Sequence, residues 1–360
     1  MPLTSPLHVL QDSGAPENSA GHTTVVLFHG YAWHSGIFAR LVPLAHAHNA
    51  RILLVNRRGY PGSEPYTEAD RALLVSASAQ GGTVEAAAAL ESLTRFMRER
   101  AREVHELLVE LVKEGNVAAA NREQGTGGII VAGWSFGSGL MTALLANLAS
   151  FPANEVRLSQ YVRRVVFLDP PHHTLGFPPP DNPYNPLFDL QIPHEDRERV
   201  FTNWVSGYYV HGDTIDSLER KTPLGDPPPT LSTLTPEEVA RALYLPPGGP
   251  GGSDEILLNM GLKLGLFTTL REGALYLPDG ETPGDLWLDT EVRYVSCERS
   301  VWEMPWGTLA LKEELAKSRE EGRPLRNVRL VFVKGANHFI CWDQPELALR
   351  ALIGGEDIVA

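Results

Sequence analysis

The run Gly133-Trp134-Ser135-Phe136-Gly137 follows an apolar, β-branched stretch at 128–132 (GIIVA) and precedes a helix-like one at 140–148. A serine so placed sits at the tip of a buried strand, and the flanking glycines let the chain turn sharply enough to present its hydroxyl. That hydroxyl is a weak nucleophile at neutral pH, so an imidazole must take its proton during attack and return it to the leaving group. Of the twelve histidines, His338 is the candidate base, in the loop Gly335-Ala336-Asn337-His338-Phe339. His172 and His173 are weaker rivals. A third group, a carboxylate, would hold the imidazole in one tautomer and stabilise the imidazolium.

The elements that must position these groups read as alternating strands and helices. Residues 23–28 (TTVVLF), 52–55 (ILLV), 128–132, 164–168 (RVVFL), 292–297 (VRYVSC) and 328–333 (VRLVFV) are short apolar runs, most of them followed by Gly, Pro or Asp. Such runs predict strands buried on both faces. Residues 83–114 carry apolar positions at three- and four-residue spacing, which predicts a long amphipathic helix. The alternation predicts an α/β fold with a doubly wound, mostly parallel sheet. It stops after Pro170, where a proline-rich stretch, a helix-like segment at 196–209 and the linker PPGGPGG at 246–252 intervene. Residues 1–170 and 277–360 are therefore expected to form the core, and 171–276 an inserted, largely helical cap.

In order along the chain, His29-Gly30-Tyr31, the loop Arg58-Gly59-Tyr60-Pro61-Gly62-Ser63, the Ser135 turn and the His338 loop resemble the landmarks of the α/β-hydrolase superfamily. The resemblance covers most of the chain outside the cap. It implies a serine nucleophile at Ser135, a base at His338, and oxyanion donors in the backbone amides of Tyr31 and Phe136. His29 reads as structural, and Asn56 stands where the family loop usually begins with Asp. Many relatives place the acid after the strand equivalent to 292–297, where this chain has Ser300, with Glu298 and Glu303 nearby. Pancreatic-type lipases instead carry it in a Leu-Asp-Pro turn, which Leu168-Asp169-Pro170 resembles. Asp169 is preferred because it follows directly on a strand's C-terminal end, where such folds gather catalytic groups; Glu298 is the alternative.

Trp33, Trp134 and Trp302 are candidate substrate contacts. His172-His173 is adjacent rather than helically spaced, and His46/His48 reads as part of a solvated helix, so no zinc site and no cofactor are expected. The 360 residues are 43% hydrophobic and 21% charged, with 44 acidic against 31 basic residues and a net charge of −13. Without a basic cluster, nucleic acid and anionic membranes are not expected partners; a small-molecule substrate is. Two cysteines, Cys297 and Cys341, exclude a disulfide framework, and the N-terminal stretch lacks the pattern of a secretory signal, so a cytoplasmic protein is expected. The expected activity is hydrolysis of a carboxylic ester, lactone or thioester. The alternatives are a non-catalytic binding protein on the same fold, a lyase or cyclase, or a C–C bond hydrolase of secondary metabolism.

Overall fold

The computed structural model describes residues 5–17, 19–78, 83–152, 155–212, 214–278 and 284–355. Seven strands form one sheet: β1 (His8–Asp12), β2 (Thr23–Phe28), β3 (Ala50–Asn56), β4 (Ile129–Trp134), β5 (Val162–Leu168), β6 (Glu291–Cys297) and β7 (Val328–Val333). Their order is β1-β3-β2-β4-β5-β6-β7. Only β1, an edge strand, runs antiparallel to its neighbour. All six predicted strands are present. β1, with its sequence HVLQD, escaped because three of its five residues are exposed and it carries no apolar run.

Helices α1 (Glu68–Ser78), α2 (Thr83–Lys113) and α3 (Ser138–Ala146) precede β5. Between β5 and β6 lie α4 (His194–Val205), α5 (Thr230–Thr233), α6 (Pro236–Ala240), α7 (Ser253–Leu264) and α8 (Leu266–Leu275). Beyond β6 come α9 (Glu303–Glu320), α10 (Ile340–Asp343) and α11 (Pro345–Ile353). The predicted long helix is α2.

Successive side chains of a strand point to opposite faces, and each face of this sheet carries its own apolar layer. Val26, Phe28, Val131, Val165 and Phe167 pack with residues of α2, α3, α7 and α8. Val25, Leu27, Ile130, Ala132, Val166 and Leu168 pack with α11 and the turns at Ser35–Leu44. The segment between β5 and β6 contributes to both layers: Leu257, Phe267 and Leu270 belong to the first, and Trp204, Tyr209 and Ala242 to the second. Cys297 and Cys341 are buried and free. No described helix is long and apolar enough to cross a membrane.

Candidate active site

Strand β2 lies between β3 and β4, so the chain winds outward in one direction and then the other, and the crevice at this reversal opens at the strands' C-terminal ends. Register sets what meets there. Phe28 lies opposite Gly133, Trp134 opposite Leu168, and Leu168 opposite Val295. The residues that follow, Gly30-Tyr31, Ser135 and Asp169, are thus brought to one edge of the sheet.

Local geometry there is forced. Six described non-glycine residues have positive φ, and three are at this edge: Ala32 (64°), Ser135 (55°) and Asp169 (48°). Backbone in this region is unfavourable for residues with a Cβ and persists where the surroundings over-determine it. The two glycines around Ser135 are required by close approach. A Cβ on Gly133 would lie 2.2 Å from the Gly137 carbonyl oxygen, and one on Gly137 would lie 2.5 Å from that of His29. Across the crevice, a Cβ on Gly30 would come within 2.8 Å of Ser135 Cβ and 3.3 Å of its Oγ. Ser135 is half-buried and opens the turn that leads into α3.

His338 and Asp169 are both buried, and the His338 Nδ1–H donates to Asp169 Oδ2 at 2.8 Å. Asp169 Oδ1 accepts the Cys297 N–H at 2.8 Å, and Oδ2 also accepts the Ser300 hydroxyl at 2.5 Å. Three hydrogen bonds therefore address one buried carboxylate. Ser300, which follows β6, thus donates to a carboxylate supplied by the neighbouring strand. Glu298 is not placed at the imidazole: its carboxylate accepts the Gly335 N–H at 2.8 Å and so braces the loop that carries His338. Asn337 fixes the same loop by donating to the Ser206 carbonyl and to Thr230 Oγ1.

The oxyanion candidates are held from two sides. Among the described residues nothing accepts from the Tyr31 amide, while its phenol donates to the Gly248 carbonyl at 2.6 Å, within the predicted linker. Phe136 follows Ser135 at the start of a helical turn, where the first amides lack intrahelical partners. Arg57 donates to the Gly30 carbonyl and pairs with buried Asp254 of α7 at 2.6 Å, tying this loop to the segment between β5 and β6. His29 spends both ring nitrogens: Nδ1–H donates to the Gly30 carbonyl and Nε2 accepts the Arg57 N–H. Burial, with the Arg57 charge beside it, holds this imidazole well below its usual range. Asn56 accepts from the Ser35 amide and hydroxyl and donates to the Pro61 carbonyl. An ionised Asp could not make that last donation, which accounts for the amide here.

Of the three tryptophans, Trp134 packs against the His338 ring, tilted by 30° with centroids 4.8 Å apart, and donates to its carbonyl, and Trp33 packs edge-on against Phe339 at 5.1 Å. Both brace the His338 loop. Trp302 lines a cavity of about 470 Å³ together with His172, His173, Phe177, Phe267 and Glu303. Ser135 and His338 are not among its lining residues. The grouping of His172 and His173 with Glu303 had no local sequence signal, because α9 brings the glutamate from far along the chain.

Similar solved structures include a Burkholderia cenocepacia protein assigned as an aryl esterase, at 13% identity and TM-score 0.44, covering 95% of this chain and 91% of that one. They also include a bromoperoxidase from Bacillus anthracis (13%, 0.42, 92% and 88%) and a peroxisomal alpha-beta-hydrolase from Saccharomyces cerevisiae (12%, 0.41, 93% and 77%). Comparison with curated proteins finds no match. A model of the alpha/beta hydrolase family matches residues 25–351, a span running from β2 through the Ser135 turn and Asp169 to the His338 loop, and on that match the chain belongs to the alpha/beta hydrolase family.

Proposed function

We propose that the protein is a serine hydrolase that cleaves a carboxylic ester, lactone or thioester of a small, largely apolar substrate through an acyl-enzyme on Ser135. The observation that carries this reading is the 2.8 Å hydrogen bond from His338 to Asp169 beside the Ser135 turn. With Nδ1–H spent on the carboxylate, the lone pair of His338 is on Nε2, the nitrogen available to a serine hydroxyl. Ser135 Oγ attacks the carbonyl carbon as its proton passes to Nε2. The oxyanion accepts from the amides of Tyr31 and Phe136, and His338 returns the proton to the departing alcohol or thiol. Water then enters by the same steps in reverse and frees Ser135.

Residues 171–276 act as the cap in this reading, since Gly248 and Asp254 hold the oxyanion loop and Ser206 and Thr230 hold the loop of the base. A non-catalytic binding protein is the alternative, for which the absence of an acid directly after β6 would speak; Ser300 donating to Asp169 supports the catalytic reading. The test is intact-mass analysis of the wild type and Ser135→Ala after exposure to a fluorophosphonate. One adduct on the wild type and none on the variant is expected; an unlabelled wild type, or an equally labelled variant, rejects the assignment.

A further inference from the structure

We propose that His172, His173 and Glu303 bind one divalent transition-metal ion of the zinc class at the wall of the 470 Å³ cavity. One ligating atom from each of the three lies within 4.8 Å of the others, yet none of the three hydrogen-bonds another. The two imidazoles meet edge to face, with 5.3 Å between ring centroids, and an ion held by all three residues would form bonds of about 2.0–2.2 Å.

Each residue carries unused valence. The His172 Nδ1–H donates to the Phe177 carbonyl at 2.8 Å, which fixes its tautomer and leaves the lone pair on Nε2. A carbonyl behind the imidazole is the usual backing of a metal-ligating histidine. Neither ring nitrogen of His173 has a hydrogen-bond partner among the described residues. Glu303 accepts one hydrogen bond, from Asn185 at 2.9 Å. Glu303 sits in the first turn of α9.

Two imidazole nitrogens with one carboxylate oxygen suit zinc and its neighbours; calcium and magnesium prefer all-oxygen shells. Three protein ligands leave a coordination position open, and here it would face a cavity walled by Phe177, Phe267 and Trp302. Water, or the oxygen of a small apolar molecule, would complete the shell. Ser135 and His338 do not line this cavity, and the metal site does not depend on their chemistry.

The test is to strip the full-length protein with a chelator and titrate it with Zn²⁺ by calorimetry and with Co²⁺ by visible absorption. One ion per chain is expected, with the d–d bands of a four- or five-coordinate cobalt. His173→Ala and Glu303→Gln should each weaken binding at least about 100-fold, and Ser135→Ala should bind as the wild type does. Glu303→Gln is nearly isosteric, and circular dichroism confirms that both variants are folded. No stoichiometric binding by the wild type overturns the site, as does binding that both variants retain.

Discussion

Two clusters of carboxylate and imidazole lie close together in this fold, one at Asp169 and His338 and one at Glu303, His172 and His173. They are finished to very different degrees. Asp169 receives three hydrogen bonds, from a backbone amide, a hydroxyl and an imidazole, so its charge is fully addressed by the protein. Glu303 receives one, and burial raises its pKa to about 7. The histidines differ in the same way. His338 commits one nitrogen, to Asp169; among the described residues His173 commits neither. A carboxylate satisfied from within suits a device that works on protons alone, and one left short suits a site that is completed by something it binds.

The largest way to break this contrast is to spoil the finished cluster. Asp169→Asn should leave the fold intact but disturb the tautomer of His338, with a loss of turnover of roughly 10³- to 10⁴-fold. Hydrolysis of a short-chain aryl ester, with thermal unfolding measured in parallel, checks this. A loss below tenfold would mean that His338 does not depend on Asp169.

Next is Gly30→Ala, which places a methyl group against Ser135 Cβ and Oγ at the approaches given above. Turnover should fall about 10²- to 10³-fold, the size of losing one oxyanion donor. Fluorophosphonate labelling rates would show whether the block is at the nucleophile.

Ser300→Ala removes one of three donors to Asp169 and should cost roughly tenfold in kcat, with little change in KM. If kcat is unchanged, the hydroxyl contributes packing only.

The smallest effect concerns His29, a buried imidazole with both nitrogens already spent. Burial first, then the Arg57 charge, hold its folded-state pKa below the ordinary 6.5. Its contribution to stability is therefore present above pH 6.5 and lost as pH falls from there toward the folded-state value. One such group adds at most about 1.4 kcal/mol of slope per pH unit. Urea midpoints between pH 5 and 8 should fall less steeply in His29→Gln than in the wild type; equal slopes would show that His29 does not bind the proton.

Much of the fold was legible because buried parallel strands are continuous apolar runs and α2 repeats its apolar positions at helical spacing. β1 was not, since a half-exposed edge strand has neither signal. Ser135 was legible because its turn is built by residues next to it, Gly133 and Gly137, whose side chains must be absent. Asp169 could be preferred from a Leu-Asp-Pro turn at a strand's C-terminal end, but with Glu298 as the alternative, since nothing local shows which carboxylate reaches the imidazole.

What the chain settles by itself is whatever depends on neighbours in sequence: the strands, the turn at Ser135, the loop that carries His338. Tertiary structure alone decided which carboxylate meets that histidine, because the register of β5 against β6 brings Ser300 and the Cys297 amide onto Asp169 while Glu298 is held on Gly335. It also decided that two adjacent histidines, unpromising as a spacing, meet a buried glutamate from α9. Hydrogen bonds and ligand shells are formed by atoms a few ångströms apart in space, and only the packed sheet and helices set those distances.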